Sequence, residues 1–125
     1  MKLLLDTHVW LWMATASSRL RPRTRRLLVD PANQLFLSAA SAWEIAIKSG
    51  LGKVVARTSV GEAIADYGFD ELSVCMTHAD AVRRLPLHHR DPFDRMLVAQ
   101  ALVDGLTIVS RDPLLSAYTA PVVWT

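Results

Sequence analysis

A single cysteine, Cys75, in a chain of 125 residues excludes an intramolecular disulfide framework and fits a reducing compartment. Lysine is scarce: only Lys2, Lys48 and Lys53 occur, so arginine carries nearly all the positive charge. No Pro-, Gly- or Ser-rich linker divides the chain and no segment repeats. That predicts one domain over residues 1–125, long enough for a real core. No apolar run approaches the length of a bilayer span. Met1-Lys2-Leu3-Leu4-Leu5 resembles the start of a signal peptide, but Asp6 interrupts it too early. A soluble, cytoplasmic protein without a membrane partner is expected. His8, His88 and His89 suggest a zinc or iron site, yet no His-x-x-x-His pair or cysteine partner stands at ligand spacing.

What the chain does contain is alternation. Lys2 to Leu5, Gln34 to Leu37, Glu71 to Val74 and Leu106 to Val109 read as short apolar strands, with Val122-Val123 as an edge strand. Between them lie segments with helix punctuation. Asp6 or Thr7 caps Thr7 to Met13, and Arg21-Pro22 opens a helix that Asp30-Pro31 stops. Ser38 to Lys48 is a helix with Trp43, Ile47 and Leu51 spaced for one face, and Ser41 to Glu44 matches a capping box. Thr58-Ser59 caps a helix through Tyr67, and Thr77 to Asp80 starts another that ends before Pro86. Asp91 suits an N-cap and Pro92 the first position of a long apolar helix, which Asp104-Gly105 ends. Ser110-Arg111-Asp112-Pro113 opens a last short helix. This β-α-β-α order predicts an α/β fold with helices on both faces of a parallel sheet.

In such sheets the working site lies at the carboxyl ends of the strands. Asp6 follows the first strand, Glu44 lies early in the helix after the second, and Asp112 follows the fourth. Asp94 opens the helix that leads into the fourth strand, so it can face the same edge. Each acid has a structural explanation as a cap, and Glu44 with Lys48 forms an i, i+4 pair. Capping does not require an acid at nearly every turn of one rim, however. Asp80 and Asp104 read as a helix-start acid and a turn residue. Carboxylates gathered together need a cation or protons to neutralise them, and oxygen ligands select Mg²⁺ or Mn²⁺ over zinc. The cluster Arg19, Arg21, Arg23, Arg25 and Arg26 suits either phosphate contacts or a solvated helix face. Arg90, Arg95 and Arg111 stand near the acids as candidate phosphate contacts.

Leu4-Leu5-Asp6-Thr7-His8-Val9-Trp10, Ser38-Ala39-Ala40-Ser41-Ala42-Trp43-Glu44-Ile45, His89-Arg90-Asp91-Pro92-Phe93-Asp94-Arg95-Met96-Leu97-Val98-Ala99-Gln100-Ala101 and Ile108-Val109-Ser110-Arg111-Asp112 together resemble PIN-domain proteins, nearest to the VapC-type toxins of toxin–antitoxin pairs. The resemblance implies a three-layer α/β/α sandwich with a central parallel sheet, and a metal-dependent endoribonuclease site. Its acids match Asp6, Glu44, Asp94 and Asp112, with Mg²⁺ or Mn²⁺ as cofactor and RNA as substrate. Thr7 and Ser110 match the hydroxyls that accompany such acids. The resemblance also implies a homodimer and a small inhibitory antitoxin. Val9, Trp10 and Trp12 are a candidate contact surface for that partner, with core packing expected for at least one Trp.

A phospho-accepting receiver module has similar length and fold class. It needs paired acids after the first strand and a late lysine, and no lysine follows Lys53. A non-catalytic RNA-binding protein of the same fold and a DNA-directed nuclease are the remaining alternatives.

Overall fold

Leu3 and Leu5 project to one side of the first strand and Leu4 to the other, and this alternation builds the layers. All three are fully buried, as a central strand of a parallel sheet requires. The structure, a computed structural model, describes residues 1–52 and 60–125. The expected cap at Thr58-Ser59 lies outside the described residues.

The chain runs β1 (Lys2–Leu5), α1 (Thr7–Ala14), α2 (Pro22–Val29), β2 (Gln34–Ser38), α3 (Ala39–Gly50), α4 (Val60–Tyr67), β3 (Asp70–Leu72), α5 (Met76–Val82), α6 (Pro92–Asp104), β4 (Thr107–Ser110), a 3₁₀ turn (Pro113–Ala117) and β5 (Val122–Trp124). The five strands form one sheet in the order β3-β2-β1-β4-β5, and every adjacent pair is parallel. Leu3, Leu5, Leu35, Leu37 and Val109 pack on one face with Val9 and Trp10 of α1, Leu28 of α2 and Ile45 of α3. Leu4 and Ile108 pack on the other with Leu97, Val98 and Ala101 of α6. The result is the expected three-layer sandwich. Among the described residues no helix is long and apolar enough to cross a membrane.

Three local expectations change. β3 ends at Leu72, because its partner β2 ends opposite it at Ser38, where α3 begins; the Ser73 carbonyl instead accepts the Gln100 side-chain amide at 3.3 Å. Ser38, not Ser41, caps α3, accepting the Ala40 N–H at 3.1 Å, so the Ser41–Glu44 pattern falls inside the helix and is no capping box. The Trp43, Ile47 and Leu51 face of α3 points to solvent, and Trp43 is 64% exposed. The helix buries its small and polar side instead, through Ala40, Ser41, Glu44 and Ile45.

Candidate metal centre

The sheet order places the site. From β1 the chain moves outward through β2 to β3, then crosses back to β4 on the other side of β1. Connections therefore leave in opposite directions between β1 and β4, which opens a crevice at their carboxyl ends. Asp6 follows β1 there, and Asp112 follows β4. Asp94 reaches the same crevice from the first turn of α6. That helix begins where the Asp91 carboxylate accepts the N–H groups of Phe93 at 2.8 Å and Asp94 at 3.3 Å, with Pro92 fixing the first position. Asp91 is thus the cap, and Asp94 is left free to face inward.

Asp6, Asp94 and Asp112 line one pocket of about 370 Å³ with His8, Trp12, Arg19 and Arg111. Burial alone would raise the Asp6 pKa. Hydrogen bonds from His8 and from Ser110 Oγ, at 2.6 Å, outweigh it and hold the carboxyl below its ordinary 3.8. Asp94 is pushed up to about 7, first by burial and then by the charges of Asp6 and Asp91, with His89 pulling the other way and Glu44 adding to the repulsion. Glu44 is buried and engaged by Thr7 Oγ1 at 2.7 Å and Lys48 Nζ at 2.5 Å. The Glu44–Lys48 pair is therefore real, while Thr7 connects Glu44 to the Asp6 end of α1.

These donors fit a hard divalent ion. Single ligand atoms of Asp94, Asp112 and His89 lie within 4.8 Å of one another, so the two carboxylates are close enough to share one cation. Burial and the neighbouring charges, which together raise the Asp94 pKa to about 7, are what a cation would offset.

The arginines divide. Arg90 is exposed beside the helix start and lines the neighbouring groove of Trp43 and Phe93 rather than the acidic pocket. Arg111 lines the pocket, with its guanidinium 4.6 Å from the Trp12 ring centroid and donating to the Thr125 and Arg19 carbonyls. Arg95 is committed to structure. It donates to the carbonyls of Pro86, Val82 and Leu85 and to Tyr118 Oη, tying the end of α5 and the following loop to α6. Its guanidinium is therefore occupied within the fold and is not a phosphate contact. Val9 and Trp10 are buried in the core and Trp12 lies under Arg111, so this trio is not the open contact surface expected from sequence.

A family model for the PIN domain matches residues 3–120. The chain belongs to the PIN domain family. Its fold is similar to that of DNA-bound VapBC from Salmonella typhimurium, at TM-score 0.73 and 16% identity over 98% of this chain and 97% of that one. VapBC2 from Rickettsia felis bound to a promoter DNA fragment gives TM-score 0.69 and 12% identity over 98% and 96%. FitAcB from Neisseria gonorrhoeae gives 0.65 and 20% over 98% and 96%. No curated protein sequence matches significantly.

This PIN domain also uses residues that sequence reasoning passed over. Gln100 is fully buried, accepts the Ser38 hydroxyl at 2.6 Å and donates to Ser73, fixing α6 against the end of β2. Its signal was a glutamine among the apolar residues of α6. Tyr118 accepts the backbone N–H groups of His88 and His89 and so holds the loop before Asp94. His89 itself touches two of the acids.

Proposed function

We propose that this PIN domain is a divalent-metal-dependent endoribonuclease acting as the toxin of a toxin–antitoxin pair. The observation that carries the reading is the shared pocket of Asp6, Asp94 and Asp112 at the switch point of the sheet, with arginines on its wall. Asp6, Glu44, Asp94 and Asp112 are the residues that would hold Mg²⁺ or Mn²⁺. When bound, such an ion supplies Lewis acidity at a phosphodiester and lowers the pKa of water. Ser110 keeps Asp6 ionised for that role, and Thr7 orients Glu44. Arg90 and Arg111 would position the phosphates of a strand entering the pocket, and Arg19 adds positive field.

The toxin assignment draws support from the fold shared with a toxin–antitoxin complex from Klebsiella pneumoniae, at TM-score 0.67 and 15% identity. A second copy of this chain is the partner we assign to the exposed apolar face. A groove of about 670 Å³ there is lined by Trp43, Val74, Leu87, Phe93 and Met96, and Trp43 packs edge-on against Phe93 at 5.3 Å. Lasting homodimer interfaces are more apolar than transient ones, which matches this lining.

The test is cleavage of structured RNA and of single-stranded DNA with Mg²⁺, Mn²⁺ or EDTA, using wild type and Asp6→Asn. RNA cleavage that needs the ion and Asp6 is expected. Metal-independent cleavage sinks the reading. Preference for DNA would establish the DNA-directed alternative, and RNA binding without cleavage the non-catalytic one.

A further inference from the structure

The histidine nearest the acids has an arrangement that decides its role. His89 Nε2 lies 2.7 Å from Asp112 Oδ2 and 3.2 Å from Asp94 Oδ2. Its other nitrogen, Nδ1, accepts the backbone N–H of Asp91 at 3.1 Å. A ring nitrogen that accepts a hydrogen bond carries no proton, so the neutral ring has its proton on Nε2. That N–H is directed at Asp112, with Asp94 Oδ2 in close contact beside it, and leaves no lone pair there for an ion. Ligation through Nε2 would need the proton on Nδ1, facing the Asp91 N–H hydrogen head-on. The ring has little room to turn away: its side chain is 11% exposed, and the His88 and His89 backbone N–H groups are fastened to Tyr118 Oη at 3.3 and 3.0 Å.

We propose that His89 is a positioning residue of the metal centre, whose Nε2–H draws the Asp112 carboxylate to Asp94 without itself ligating the ion. The inference rests on reading the acidic pocket as a metal site. Asp112 follows β4 and Asp94 opens α6, and like charges on separate elements would otherwise spread apart. A ring hydrogen-bonded to Asp112 and in contact with Asp94 keeps them at one seat. Asp112 cannot swing freely in any case, because its Oδ1 accepts the Leu114 N–H at 3.0 Å, so one modest contact sets the direction of Oδ2. The seat then presents oxygen alone, which suits Mg²⁺ and Mn²⁺ rather than zinc, although a histidine stands beside it.

The experiment is calorimetric titration of the metal-free full-length protein with Mn²⁺. It compares wild type, Asp94→Asn, His89→Ala, His89→Gln, Asp112→Asn and the His89→Ala/Asp112→Asn pair, each checked for folding by circular dichroism. Pulsed electron paramagnetic resonance of the Mn²⁺-loaded wild type reads whether a nitrogen is bound directly. Expected are roughly tenfold weaker binding in His89→Ala and recovery in His89→Gln, whose amide can donate from a similar place. Little further loss should follow when His89→Ala is added to Asp112→Asn, and directly coordinated nitrogen should be missing from the spectrum. Strong coupling to a bound nitrogen, unchanged affinity in His89→Ala, or additive losses in the double variant overturn the proposal. If wild type binds Mn²⁺ and Asp94→Asn does not, such a failure belongs to His89 alone. If wild type does not bind, the metal reading itself falls.

Discussion

Ser110 Oγ, at the end of β4, donates to Asp6 Oδ2, just past the end of β1, at 2.6 Å. The bond crosses between the two strands that flank the switch point and joins residues 104 positions apart. Ser110 Oγ also accepts the Asp112 N–H at 3.0 Å, so one hydroxyl sets two acids.

Ser110→Ala removes a buried hydrogen bond to a charged group, worth about 1.5–3 kcal/mol. Denaturant unfolding at pH 7 should show a loss of about that size. The Asp6 pKa is depressed in the folded protein, so its contribution is present above the unfolded value and is lost as pH falls through the folded one. The gap between wild type and variant should therefore narrow below about pH 4. A gap independent of pH would assign the loss to packing alone.

Asp94 acts in the opposite sense. Its folded pKa of about 7 lies above its ordinary 3.8, so between those values the folded protein keeps a proton that the unfolded chain has released. Metal-free stability should fall as pH rises across that window, by up to about 1.4 kcal/mol per unit. Asp94→Asn should remove this slope, and the difference between the two melting curves isolates it from the other acids. Mn²⁺ must displace the same proton, so its affinity in wild type should fall about tenfold per unit below pH 7. Parallel wild-type and variant curves would contradict the account.

Gln100→Ala should cost about 1–3 kcal/mol by leaving the Ser38 hydroxyl and Ser73 carbonyl without this partner. Because Gln100 ties down the helix that carries Asp94, Mn²⁺ binding should weaken as well. Weakened stability with intact Mn²⁺ affinity would limit Gln100 to the fold.

Trp43→Arg puts a charge on the exposed apolar face. If that face joins two copies, self-association should weaken by at least about thirtyfold, the loss typical of a central aromatic anchor. Light scattering during size-exclusion chromatography reads the change, and thermal melting shows whether the fold survives. A variant that remains a dimer places the interface elsewhere.

Much of this was legible in the sequence because local chemistry and tertiary packing agree. The run Lys2 to Leu5, the Asp91-Pro92 helix start and the Asp104-Gly105 turn each specify their element, and Gly105 does adopt φ 67°. The acids were legible because helix starts and strand ends fix where they fall. Strand order was not, since short apolar strands look alike until they pair. Trp43, Ile47 and Leu51 misled because periodicity reports that a face exists, not what covers it. Arg95 differs for a related reason: an acid precedes it in sequence, whereas its partners are carbonyls from α5 and the following loop and a tyrosine from beyond β4.

The central claim is that the acids at the switch point hold the ion that RNA cleavage needs. Diffraction from crystals grown with Mn²⁺, recorded for its anomalous signal, tests it most directly. The account predicts a peak in the pocket of Asp6, Asp94 and Asp112, with carboxylate oxygens about 2.0–2.3 Å from the ion. It also predicts loss of that peak in Asp94→Asn. A pocket without a peak at saturating Mn²⁺, in a protein that still cleaves RNA, would contradict it.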